Sequence, residues 1–158
     1  FYKDTLIESN KKISEISRKE NACRIFPPKS VYMIGIGGTI GKIATCEEEV
    51  SANQQINIIV PNTYTDYKYL AYCMRCQKEE IILSANVVTL PIINQDKTGY
   101  LFMPHPQKTE QTSIVNYLDK KCASIDSSIS KAQHQVELLQ EYKQSLITEV
   151  VTGKRKVS

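Results

Sequence analysis

The sequence predicts an α+β fold: a compact β-rich domain with a few short helices over residues 1–108, then a long C-terminal coiled-coil helix over 109–158. Three observations carry this. From Val115 the residues Leu118, Cys122, Ile125, Ile129, Ala132, Val136, Leu139, Leu146 and Val150 recur in alternating steps of three and four, which is the a/d pattern of a heptad seam. Between Ser30 and Gln107, short and partly β-branched apolar runs stop at glycine, proline and asparagine turns, as strands do. Within that region Tyr67 to Gln77 has the broad apolar face of a helix instead. Strands with one helix on a compact body make an α+β or barrel-like domain.

Taken in order, Phe1 to Lys29 is polar, with apolar Leu6, Ile7, Ile13, Ile16 and Ile25. Leu6, Ile13 and Ile16 fit a helix, Cys23 to Phe26 fits a short strand, and Pro27-Pro28 closes the region. Ser30 to Ile36 is a strand that stops at Gly35, Gly37, Gly38 and Gly41. Ile43 to Thr45 resumes a strand, and Gln55 to Val60 is another, ended by Pro61-Asn62. Asp66 caps the helix from Tyr67 to Gln77, whose face is Tyr69, Leu70, Tyr72, Cys73 and Met74. Ala85 to Leu90 and Gly99 to Met103 read as further strands before Pro104 and Pro106.

The closing helix takes Thr109 as its N-cap, Glu110 where the dipole favours negative charge, and Gly153 as its C′ residue. From Thr109 to Val151 it spans roughly 60 Å, at about 1.5 Å per residue. Only Lys143 breaks the seam, and Lys at an a position specifies register and partner at some cost in stability. A stripe this long cannot be buried by its own helix. It predicts a second helix of similar length alongside.

Composition narrows the class without choosing the function. With 158 residues there is room for one ordinary domain and this arm, and 41% hydrophobic with 23% charged residues excludes a disordered chain. No window reaches the roughly 18 consecutive apolar residues of a membrane span, so no membrane partner is expected. Opening on Phe1, without a signal peptide, the sequence reads as part of a longer product. Five cysteines (23, 46, 73, 76 and 122) are an odd number with no disulfide spacing, which favours reduced thiols and a cytoplasmic setting. The net charge of +3 is spread along the chain: 13 basic minus 11 acidic residues before Thr109 gives +2, and 7 minus 6 from Thr109 onward gives +1. That surplus permits nucleic-acid binding without arguing for it.

Among the motifs, Gly35-Ile-Gly-Gly-Thr-Ile-Gly-Lys42 invites a nucleotide reading and fails it. A Walker A loop needs glycine five residues before the Gly-Lys pair and Ser or Thr after it, but Ile36 and Ile43 stand there. The dinucleotide pattern would put its third glycine on Ile40. Pattern alone favours a tight turn with glycines at positive φ. In its functional version, backbone amides approach a phosphate or a base edge and Lys42 supplies charge. Ser51-Ala-Asn-Gln-Gln55 and Asn94-Gln95 carry paired donors and acceptors of the kind that read adenine edges, against a simpler role as turns satisfying local backbone. Cys73-Met-Arg-Cys76 has metal-ligand spacing without a second pair, so buried or half-buried thiols are expected, with no metal and no cofactor. His105 and His134 are isolated, and no nucleophile, base and orienting acid come together, so no catalytic residue is assigned.

In order, these fragments resemble one half of a type I restriction–modification specificity (S, HsdS) subunit. Gly38-Thr-Ile-Gly-Lys42 is similar to that family's glycine turn, and Ser51-Ala-Asn-Gln-Gln-Ile56 to its following polar run. Thr89-Leu-Pro-Ile-Ile-Asn-Gln95 resembles the segment before the last strand. Pro104-His-Pro106 with Glu110-Gln111 resembles the entry to the conserved helix. Tyr117-Leu-Asp119, Ile125-Asp126 and Leu138-Leu-Gln-Glu-Tyr-Lys-Gln-Ser-Leu-Ile147 resemble that helix, and Thr152-Gly-Lys154 its end.

The resemblance implies a target recognition domain over 1–108, short at its start, and a conserved spacer and assembly helix over 109–158. It implies a non-catalytic subunit that reads half of a bipartite double-stranded DNA target in the major groove. Its partners would be methyltransferase (M) subunits, the restriction (R) subunit, and an antiparallel helix from the other half of the subunit or from a second copy. A single domain and helix imply a carboxyl-terminal half, or a half-size subunit that dimerises. For the DNA-binding site we take Gly38, Thr39, Gly41 and Lys42 near phosphates, and Asn53, Gln54, Gln55, Asn94 and Gln95 as base readers. Lys97, Arg24 and Lys29 are further phosphate partners. A rival of another class is a coiled-coil adaptor with a β-rich protein-binding domain and no DNA recognition.

Overall fold

A computed structural model describes residues 5, 6, 9, 12–20, 22–87 and 91–157. The elements run β1 (Thr5–Leu6), α1 (Glu15–Lys19), β2 (Ile25–Phe26), β3 (Val31–Ile34), β4 (Ile43–Cys46), β5 (Val50–Ser51) and β6 (Ile56–Ile59). They continue with α2 (Tyr67–Cys76), α3 (Lys78–Ser84), β7 (Asn86–Val87), β8 (Pro91–Ile92), α4 (Gln95–Gly99) and α5 (Lys108–Val151). Short sheets followed by one long helix make an α+β fold, as the sequence predicts. The chain divides into two compact units, Phe1–Val115 and Asn116–Ser158.

In the first unit β3 is central. It pairs antiparallel with β4 on one side and β6 on the other, while β1 adds parallel to β4, giving the order β1-β4-β3-β6 among the described residues. Val31, Tyr32 and Met33 are all buried, so β3 is covered on both faces and needs no alternation with polar residues. Val31 and Met33, two apart and therefore on one face, join Ile40, Ile43, Leu70, Ala71, Met74, Ile81 and Ile93 in a single core. α2 offers Leu70, Ala71 and Met74 to that core, and the Asp66 carboxylate caps it by accepting from Lys68 N and Tyr69 N. Burying Met74 and Ile81 contributes roughly 1.5–3 kcal/mol each.

Several expectations need correction. Gly99 to Met103 forms no strand: Asn94 caps α4 up to Gly99, and the carbonyl of Phe102 accepts from Gln77 Nε2 rather than from a neighbouring strand. Leu6 belongs to β1 and Ile13 precedes α1, so of the three proposed helical residues only Ile16 is helical. The strand read over Ala85 to Leu90 is Asn86–Val87 here, and its residues 88–90 lie outside the described residues, as does Ile7. Cys76 is exposed rather than buried or half-buried, because it ends α2. α5 begins at Lys108, one residue before the expected cap at Thr109, and the Gln107 carbonyl accepts from Glu110 N and Gln111 N.

The second unit is the remainder of α5 and its stop. Gly153 takes φ +73, and its N–H donates to Val150 O, as a C′ glycine does. Along the seam Leu118, Ile129, Leu146 and Val150 are half-buried, whereas Ile125, Val136 and Leu139 are 53–66% exposed. No described helix is long and apolar enough to cross a membrane.

Candidate nucleic-acid interface

Strand pairing brings three separate segments to one end of the central sheet. The register Met33↔Ile43 and Ile34↔Ile56 places the β3–β4 turn beside the start of β6. Gly35 N donates to Gln55 O at 2.8 Å, which ties that turn to the polar run before β6. On its other side Ile93 N donates to Gly35 O at 2.8 Å and Gly37 N to Pro91 O at 3.0 Å, tying it to the segment that leads into α4. Gly35 must lack a side chain, because a Cβ there would stand 2.8 Å from Ile93 O. Nothing in the sequence marked Asn57, the residue that ties β6 to the segment around α4. Buried on β6, its Nδ2 donates to Ile93 O at 2.8 Å and to Thr98 Oγ1 at 2.9 Å. An isolated Asn in an apolar strand carries no signal of its partners 36 and 41 residues away.

Each candidate residue has a definite place. Gly38 and Thr39 form the exposed tip of the turn, and their backbone N–H groups have no acceptor among the described residues. Gly41 is buried at the base with φ +76, donating to Ile34 O. Lys42 is half-buried and engaged in a contact of its own, and its N–H donates to Thr39 O. Asn53 Oδ1 accepts from Gln55 N at 3.1 Å in an Asx turn, which presents Gln54 and Gln55 to solvent. The side-chain amides of those two glutamines have no protein partner among the described residues.

Asn94, Gln95 and Lys97 reach the same end with their groups committed. Asn94 Oδ1 accepts from Lys97 N as the cap of α4. Gln95 pairs with the free edge of β6 like a neighbouring strand: Oε1 accepts from Ile58 N and Nε2 donates to Ile58 O at 2.9 Å. Lys97 Nζ donates to Ser84 O at 2.7 Å.

Charge differs between the two ends of the sheet. Pairing of Ile25 with Ser51 sets Arg24 beside the polar run, with its guanidinium 5.0 Å from the Phe26 ring. Lys78, which no motif singled out, packs against the base of the glycine turn: its Cγ is 3.5 Å from where a Gly41 Cβ would be. At the opposite end Glu47, Glu48 and Glu49 join β4 to β5, with Glu47 accepting from Tyr67 Oη and Glu49 paired with Arg18. Lys29 belongs to that acidic end, donating its N–H to Cys46 O and lying over the Tyr67 ring. The glycine-turn end thus carries Lys42 and Lys78, and the opposite end three successive glutamates with Arg18 and Lys29 among them. Among the described residues no three His, Cys, Asp or Glu side chains cluster as a metal would need.

Over residues 1–138 the chain matches the family model described as the type I restriction modification DNA specificity domain. Two solved structures are similar in fold. A chain from a study of complex assembly and conformational transition of the type I R-M system has a TM-score of 0.67 and 21% identity, over 80% of this chain and 31% of that one. The S subunit of a type I restriction-modification system from M. genitalium has a TM-score of 0.56 and 21% identity, over 77% of this chain and 33% of that one. The chain thus spans about a third of the length of these solved chains. No curated protein sequence matches it.

Proposed function

Since the chain belongs to the type I restriction modification DNA specificity domain family, a family of recognition rather than catalysis, we propose that it reads half of a bipartite DNA target. The observation that carries this reading is the convergence of three polar segments at one sheet end, with the Gln54 and Gln55 amides free of protein partners. A free carboxamide presents a donor and an acceptor together, the pair that adenine N7 and N6 match in the major groove. Asn53 shapes that turn, and the Gly38–Thr39 tip with Lys42 meets the phosphates. Arg24 adds a further phosphate contact. Asn94, Gln95 and Lys97 act mainly by position, since using Gln95 as a reader would break its two bonds to Ile58.

In this reading residues 1–108 form the target recognition domain. Residues 109–158 form the spacer that docks antiparallel on a second helix and offers its outer face to M subunits, which the R subunit then joins. The M and R subunits carry the chemistry and this chain supplies the address, a division that places it in the cytoplasm with the DNA.

A salt titration of binding against a randomised duplex library tests this. Phosphate contacts give a linear loss of log affinity with log salt, and base reading gives enrichment of particular sequences. Replacing Gln54 and Gln55 with Ala should change which sequences are enriched while leaving nonspecific affinity within about threefold. Equal affinity for every duplex, in the native chain, would remove the specificity claim.

A further inference from the structure

We propose that Lys78 on α3 is the principal cation of a phosphodiester-binding site whose floor is the Gly38–Thr39 tip of the glycine turn, an inference that rests on the DNA-reading function above. The tip offers two successive N–H groups and the Thr39 hydroxyl, none with a protein acceptor or donor among the described residues. Successive free amides beside a residue in the left-handed region, here Gly37 at φ +83, form the concave donor arrangement that holds anions. The floor is fixed before any ligand arrives, because Ile40 N bonds Gly37 O, Gly41 N bonds Ile34 O, and Lys42 N bonds Thr39 O.

Lys78 is held beside the base of this turn by three features. Gly41 has no Cβ, so Ile81 Cγ2 and Lys78 Cγ approach to 3.3 and 3.5 Å of the place where one would be, and a Cβ there would crowd Ile81. Ile81 is fully buried and anchors the middle of the helix in the core. The ammonium of Lys97 grips Ser84 O at the far end of α3, so α3 is tied at its start, middle and finish. That last bond also separates the two lysines by role: Lys97 positions α3, and exposed Lys78 remains to meet a phosphate. Glu79 and Glu80 follow Lys78 in sequence, but they lie about 100° and 200° around the helix from it and do not share its face.

The test is the salt dependence of duplex binding by the whole chain and by Lys78→Ala and Lys78→Arg. One lost phosphate contact should make the slope of log affinity against log salt shallower by about 0.9, with the library preference unchanged. Arg should restore the slope, because the site needs charge and reach rather than an ammonium. A native chain that binds duplex, with Lys78→Ala keeping its full slope, would overturn the assignment and leave the DNA reading standing. A native chain without duplex affinity would instead overturn the DNA reading. The amide resonances of Gly38 and Thr39 should shift on adding duplex but not on adding inorganic phosphate at equal phosphate concentration. Equal shifts from both would make this a site for free anions and overturn the phosphodiester assignment.

Discussion

The two units of this chain bury their apolar residues in opposite ways. The first closes a core of its own, with Met33, Met74 and Ile81 at 0% exposure. Beyond Val115 the second has a regular seam but no buried residue among those described, and Leu139 is 66% exposed. A sheet with a helix across it can satisfy its own apolar face, whereas one long helix has nothing of its own to pack against. Under the function proposed above, recognition requires only a folded first unit, while assembly requires a partner for the second.

The largest expected effect lies in the seam. Leu139→Lys should weaken helix-dependent self-association by about 3 kcal/mol, roughly 100-fold, while leaving urea unfolding of the first unit unchanged. Ser127→Lys, off the seam, should do neither. Sedimentation equilibrium of the three proteins separates the cases, with Cys122, exposed in one chain and at an a position, as an internal reporter. Its alkylation should slow as concentration rises. If Leu139→Lys and Ser127→Lys associate equally with the native chain, the seam is a solvated stripe and the contrast between the units fails.

How far the sequence revealed each unit follows from the range of its signals. The long helix α5 was legible because its periodicity is local, and so were the Asp66 cap and the Gly153 stop. The strands β3, β4 and β6 were legible as apolar runs between turns. What a linear reading missed was long-range. Gly99–Met103 has strand-like composition, but whether it pairs depends on a free edge being nearby, and Gln77 takes the Phe102 carbonyl instead. The polar runs were picked out by residue type, yet composition could not tell that Gln95 satisfies an edge strand while Gln54 faces solvent. Lys78 sits in an ordinary charged helix and gains interest only through its packing on Gly41.

An intermediate effect is expected at Asn57. Replacing it with Ala removes two buried hydrogen bonds and leaves the Ile93 carbonyl short of a partner, costing about 2–3 kcal/mol in urea unfolding of the first unit. Self-association through α5 should not change. Because Asn57 holds α4 against β6, amide exchange over residues 93–99 should accelerate more than over β3. Uniform acceleration would mean that Asn57 supports the whole core rather than this one junction.

The smallest effect concerns Tyr69, and it sharpens the contrast through pH. Its hydroxyl donates to Pro104 O at 3.0 Å, and burial, then the hydrogen bond and charge of Cys73 and the charge of Glu110, push its pKa up to about 12 from 10.0. A phenol whose folded pKa is raised favours the folded state while protonated. Its contribution is therefore complete below pH 10 and is lost as pH climbs from 10 towards 12. Tyr69→Phe should cost about 1 kcal/mol at neutral pH through the lost bond. Between pH 10 and 12 the native protein should lose its advantage over the variant, so their unfolding midpoints converge. Lysines titrate over the same range and affect both proteins alike, which is why the difference between the two is the quantity to measure. A gap between native and variant that stays constant to pH 12 would show that the Tyr69 hydroxyl ionises in the first unit as it would in water.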